Sequence, residues 1–323
     1  MIRPIVVLGL LTSVAPGVLA QPKIVGVVNA ASSQAGLPYG GALATAYVAG
    51  LSGLKPGTYT APQSQALPYL LGGVGVLVNG RFAPVLAVAI PSDASANVQV
   101  NFQVPSERNA AIPGSSTFVG SALSVTSTIS SADMIGLPAE PSWGGFFSDA
   151  NGYAAALHAS DSSPVTVQNP ARPGETIIAY ADDFFITWPP PPIGIAVPGG
   201  VQFQILSESQ RYLYLQEYPK PTACGFPENP LTCTNSVTST PALQISFKGL
   251  AAGKVGVEEI DFVVPANQQA GTRALFFNSG SCPDGSGLPG TCGAQRAGSS
   301  PYVLLPVGGS PVTAGLVESF ALR

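Results

Sequence analysis

Residues 98–104 read VQVNFQV, apolar and polar in strict alternation. A period of two puts every second side chain on the same face of an extended chain, so this run fits a sheet with one side on a core and the other in water. Residues 201–205 (VQFQI) and 243–248 (LQISFK) repeat the pattern, and no stretch of a dozen residues carries a helical stripe. Composition points the same way: 37 glycines and 32 prolines in 323 residues leave little room for long helices. Gly-Gly, Asn-Gly and Pro-Gly pairs at 72–73, 79–80, 113–114, 173–174 and 199–200 fall between the runs, as in short strands joined by tight turns. With 46% apolar and 9% charged residues the chain can bury a core, and the expected class is all-β, a sandwich architecture.

An internal repeat sharpens this expectation. GALATAY at 41–47 lies 133 positions before GETIIAY at 174–180; GGV at 72–74 lies 127 before GGV at 199–201; NFQVP at 101–105 lies 160 before DFVVP at 261–265. Three blocks in one order are what duplication of a single supersecondary plan leaves behind. The longer final spacing places an insertion at about 208–242. The division that follows is a first domain at 21–135, a Pro- and Gly-bearing linker at 136–150 and a second domain at 151–323.

Residues 1–20 carry one cation, Arg3, an apolar stretch and small residues up to Ala20, the pattern of a secretory signal peptide. No later stretch is apolar for the ~20 residues of a membrane helix. The expected address is secreted, extracellular or at the cell surface, with the periplasm as the alternative. An oxidising compartment suits the four cysteines, which allow three pairings. The local ones, Cys224 with Cys233 and Cys282 with Cys292, are favoured because turn formers fill both intervals. Close cysteine pairs or helping histidines, which a zinc site requires, are missing from the sequence, and no metal or other cofactor is expected. A net charge of −4 with 13 scattered cations argues against nucleic acid as a partner.

Several motifs also carry a resemblance: VNAAS at 28–32, LGGV at 71–74 with VNG at 78–80 and AP at 83–84, and VNFQVP at 100–105. GYAAALH at 152–158 and NPARPGE at 169–175 join them in the second half. The chain resembles a family of secreted bacterial proteins of acidobacterial type, with tandem immunoglobulin-like units related to the IPT/TIG kind. That resemblance implies two immunoglobulin-like sandwiches and an extracytoplasmic address; the disulfide-stapled loop insertion expected in the second is not a feature of every member of the family. It implies no catalytic residue.

The residues themselves offer no catalytic set. His158 is the only histidine, and a Ser-His-Asp site would need an activated serine, yet no G-x-S-x-G elbow exists. Asp182-Asp183 and Glu258-Glu259 are adjacent carboxylates, and neighbours on a strand point to opposite faces, so neither pair by itself makes a glycosidase geometry. SDANG at 148–152 lacks the spacing of a calcium loop and reads as a turn, as does DGSG at 284–287. Aromatic residues are better placed to bind: Trp143 beside Gly144-Gly145, Trp188 before four prolines, and Tyr212, Tyr214 and Tyr218 in a run apolar on both faces. The alternative for the two tryptophans is capping of the sandwich ends, and for the tyrosines a strand buried on both faces. The expectation is a noncatalytic extracellular binding, adhesion or structural protein, with a protein partner or self-assembly through edge strands. A carbohydrate-binding module using Trp143 or Trp188, with a glycan as partner, and a secreted hydrolase built from distant residues are the two alternatives.

Overall fold

A computed structural model describes residues 21–93, 95–105, 121–128, 130–137, 144–184, 187–188, 192–198, 204–205, 211–218, 242–279 and 301–309. Among them there is no helix. In chain order the strands of the first half are β1 (Lys23–Asn29), β2 (Leu43–Ala49), β3 (Gly57–Thr60), β4 (Leu70–Leu71), β5 (Val74–Val78), β6 (Arg81–Ala83), β7 (Val85–Ile90), β8 (Val98–Gln103), β9 (Ser121–Thr126) and β10 (Ser131–Leu137). Those of the second half are β11 (Gly145–Phe146), β12 (Ala156–His158), β13 (Thr176–Asp182), β14 (Thr187–Trp188), β15 (Gln204–Ile205), β16 (Arg211–Glu217), β17 (Ile245–Leu250), β18 (Glu258–Val263), β19 (Gly271–Ser279) and β20 (Val303–Val307).

In the first half, a sheet of order β1-β2-β8-β7-β3 faces one of order β10-β9-β5-β4, with β6 paired to β5. The alternation in β8 is the reason: Val98, Val100 and Phe102 turn inward and meet Val76, Val78, Leu123 and Val125 of the opposing sheet in one core. Each such side chain taken from water contributes roughly 1.5–3 kcal/mol. In the second half, the sheet β11-β13-β18-β17, with β12 also on β13, shares a core with β16-β19-β20. Ile177, Ile260 and Phe262 come from one sheet, Leu213, Leu275, Phe277 and Leu305 from the other.

The two halves repeat each other in hydrogen-bond register. In β2 and β8, Leu43 pairs with Gln103, Ala44 with Phe102 and Tyr47 with Gln99. In β13 and β18, Thr176 pairs with Val263, Ile177 with Phe262 and Tyr180 with Glu259, the same ladder at the shifts of 133 and 160. The neighbouring strand repeats down to its irregularity: β7 slips between Val85 and Ala87, and β17 between Ile245 and Phe247. At the outer edge β1 is matched by two pieces. Lys23 and Ile24 pair with Ala49 and Val48 as Gly145 and Phe146 pair with Asp182 and Ala181. Beyond the β1 bulge, Val27, Val28 and Asn29 correspond to Ala156, Leu157 and His158. The 147–155 excursion is thus an insertion at a place where the first copy already bulges.

One sequence expectation is corrected here, the position of the insertion. The strand that plays the part of β5 in the second half is β16, which pairs with β19 as β5 pairs with β9; the GGV block at 199–201 lies outside the described residues. The insertion therefore falls between Glu217 and Ile245. Within the expected 136–150 connector, β10 runs to Leu137 and Phe146 already lies in the second core. Residues 1–20 and all four cysteines, Cys224, Cys233, Cys282 and Cys292, lie outside the described residues.

Candidate functional site

The most elaborate polar arrangement among the described residues sits where the two halves meet. Side chains of β13 alternate, so Asp182 belongs to the outer face with Ile178 and Tyr180, yet it is buried because the first half covers that end of the strand. The Leu43 backbone N–H donates to both Asp182 carboxylate oxygens at 3.1 Å, and the Asn29 side-chain amide donates to Oδ2 at 3.1 Å. Asn29 is itself fixed, its Oδ1 accepting from the backbone N–H groups of Ala31 and Ser32 at 2.9 and 2.8 Å. Next along the chain, Asp183 takes a positive φ of 64°, a conformation that Asp tolerates better than most residues. It accepts from the Tyr39 backbone N–H at 3.0 Å. Glu258, inward-facing and buried, accepts from the Phe184 backbone N–H at 3.0 Å.

Burial drives the Asp182 carboxyl well above the usual carboxylate range; the nearby charges of Asp183 and Glu258 add to this, and the bonds from Leu43 and Asn29 oppose it. A second clip lies beside it. Buried Gln103 donates to the carbonyls of Gly41 at 2.8 Å and Pro192 at 3.2 Å, and its Oε1 accepts from the Gly194 N–H at 2.6 Å. Apolar contacts run on both sides: Leu43 with Ala251 and Val257, and Ala61 and Leu67 with Val255.

His158 stands in the second half where Asn29 stands in the first. The two share their turn: the backbone N–H groups of Ser33 and Ser162 donate to the carbonyls of Asn29 and His158, and both serines have positive φ, 57° and 59°. Asn29 meets a carboxylate from the other half. His158 meets one from its own, with Nδ1 3.0 Å from Glu175 Oε1 and Nε2 3.2 Å from the Asn169 carbonyl. The 148–152 loop is closed by Asp149, whose Oδ1 accepts from the Asn151 and Tyr153 N–H groups at 2.8 and 2.9 Å. Among the described residues no group of three or more His, Cys, Asp or Glu side chains is arranged to hold a metal ion.

The aromatic candidates are distributed differently. Trp143 lies outside the described residues; for Trp188 and Tyr212 only the backbone is described, in β14 and β16. Tyr214 stacks on Phe276 with ring centres 5.9 Å apart, and Tyr218 contacts Tyr302 at 5.7 Å, so both rings are engaged within the chain. The open apolar surface lies elsewhere. Tyr69, Leu70 and Phe82 are 52%, 60% and 61% exposed, with the Tyr69 and Phe82 rings 6.1 Å apart. They belong to β4 and β6 and the residue before β4, the pair of short strands that share the edge of β5 away from β9. Sequence reading passed over them because the LL of 70–71 and the lone Phe82 make no periodic pattern. The usable signal was the Asn79-Gly80 turn, which fixes Phe82 across from Leu77.

On the outer face of the second half, Thr45, Gln99 and Asn101 of the first are replaced by Ile178, Glu259 and Asp261. In the first half Thr45 Oγ1 and Gln99 Nε2 donate to Asn101 Oδ1 at 3.0 and 3.2 Å. Ile178 cannot donate, and Asp261 Oδ1 is left shielded without a hydrogen-bond partner. Its carboxyl rises to about 6, through burial first and the neighbouring Glu259 second.

Comparisons of this chain with protein-family models, with curated proteins and with solved structures find no match.

Proposed function

We propose that this chain is a noncatalytic extracellular protein that works by contact, as a binding, adhesion or surface-assembly component. On this reading its two halves are tandem immunoglobulin-like sandwiches, as in the secreted bacterial family whose motifs it resembles, and the second is stapled by Cys224–Cys233 and Cys282–Cys292. The observation that carries the proposal is the Tyr69, Leu70 and Phe82 surface. It places large apolar side chains in water along a sheet edge made of two very short strands, a place where another chain can add. The buried ionisable groups support the same reading from the other side, since His158, Asp182 and Glu258 are each tied into hydrogen bonds that hold the fold together.

Sedimentation velocity over a wide concentration range tests it. Association that grows with concentration and is lost in the Leu70→Ser/Phe82→Ser double variant is the expected result. A particle that stays monomeric at high concentration, with no difference between the two proteins, removes the assembly version.

A further inference from the structure

Two strands of the second half carry phenol rings at their ends, and the rings meet. Tyr218 directly follows β16 and Tyr302 directly precedes β20, and these strands flank β19 on opposite sides. Leu215 and Val303 face the core, so alternation puts Tyr218 and Tyr302 on the outer face of the sheet, where both are partly exposed. Their ring centres lie 5.7 Å apart with the planes at 40°. Burial first, and then the hydrogen bond shared with the Tyr218 hydroxyl, hold the Tyr302 phenol above its usual value. That bond draws the two oxygens together, and with them the Cε carbons beside each C–O bond, where an oxidised phenol carries much of its unpaired electron. In the other described ring pairs at least one partner is a phenylalanine, which has no phenol to oxidise.

We propose that Tyr218 and Tyr302 form a site of oxidative cross-linking, where a peroxide-driven one-electron oxidant joins the two rings through a Cε–Cε bond. Each phenol gives up one electron and its hydroxyl proton. The two radicals combine at Cε, and the hydrogen on each joined carbon leaves as a proton while each oxygen takes one back. One hydrogen peroxide accepts the two electrons and two protons and becomes two waters, so the chain loses two hydrogen atoms in all. Rings already in contact outrun an encounter between separate molecules, because their pairing is intramolecular. The product ties the end of β16 to the start of β20 across β19. It closes a covalent loop from 218 to 302 that contains all four cysteines.

Treating the full chain with a haem peroxidase and limiting hydrogen peroxide, followed by intact mass measurement and peptide mapping, tests this. The expected product is a monomer lighter by two hydrogen atoms, with dityrosine fluorescence and a cross-linked peptide that maps to Tyr218 and Tyr302. Tyr218→Phe and Tyr302→Phe each remove a hydroxyl and keep the ring, and either is expected to lower the yield of monomeric dityrosine at least about tenfold. A wild type that forms no dityrosine overturns the proposal. So does a monomer whose link joins other tyrosines, or dityrosine found only between molecules. Undiminished yield in the two Phe variants overturns it too. Should a variant fail to fold, the peptide map of the wild type decides by itself.

Discussion

Asp261 shows how one replacement between the two copies changes what a residue costs. Its counterpart Asn101 is served by Thr45 and Gln99, whereas Asp261 faces Ile178 and keeps an oxygen without a donor. Its raised carboxyl stabilises the fold fully below pH ~4 and withdraws that contribution as pH passes about 6. Asp261→Asn is therefore expected to be more stable than the wild type at pH 8 by on the order of 1 kcal/mol, reduced from the full linkage value because the group is partly in solvent, and equal to it at pH 4. Urea unfolding at the two pH values measures this, and a variant less stable at pH 8 contradicts it. His158 belongs to the same scale. His158→Ala empties a buried position and removes the 3.0 Å contact with Glu175, whose Oε1 keeps the Arg172 N–H, and a loss of about 1–3 kcal/mol is expected by the same measurement.

Among the elements, equivalence of β8 and β18 makes a paired prediction. Phe102 and Phe262 are both fully buried, each across a ladder from its β2 or β13 partner. Phe102→Ala and Phe262→Ala should each cost about 3–5 kcal/mol in urea unfolding, and a cost near zero for either would break the equivalence. These two strands were the legible part of the sequence, because alternation and the shift of 160 survive in residue types that packing demands. β7 and β17 were not matched, since VLAVAI and ISFKGL share a bulge and a register but almost no side chains. The polar junction escaped notice for a related reason. Asp182-Asp183 and Glu258-Glu259 were judged as pairs of neighbours, and the constellation takes both members of the first pair and one of the second, brought together across Ala181 and Glu258 in the sheet. Asn29 carries no signal of its own in the sequence, because its partner Asp182 lies more than a hundred positions away.

For the whole molecule, the closeness of the junction sets the stakes. A Cβ added to Gly145 would lie 2.5 Å from the Ser32 Cβ and 2.8 Å from its Cα, a contact between the halves that reaches neither core. Gly145→Ala is expected to push the halves apart while both cores survive. In calorimetry one transition is expected for the wild type and two for the variant, and small-angle scattering should show a larger radius of gyration for the variant. A variant with one transition and unchanged dimensions would mean that the junction yields locally. Folding order follows from the same clasp. Asp182 lies 139 residues after Leu43 and 153 after Asn29, so on a chain emerging at about 5–20 residues per second the first sandwich waits on the order of ten seconds for its carboxylate. Through that interval the Leu43 surface stands bare, and any copy of the second half already finished on a neighbouring ribosome can dock there first, exchanging halves between two molecules.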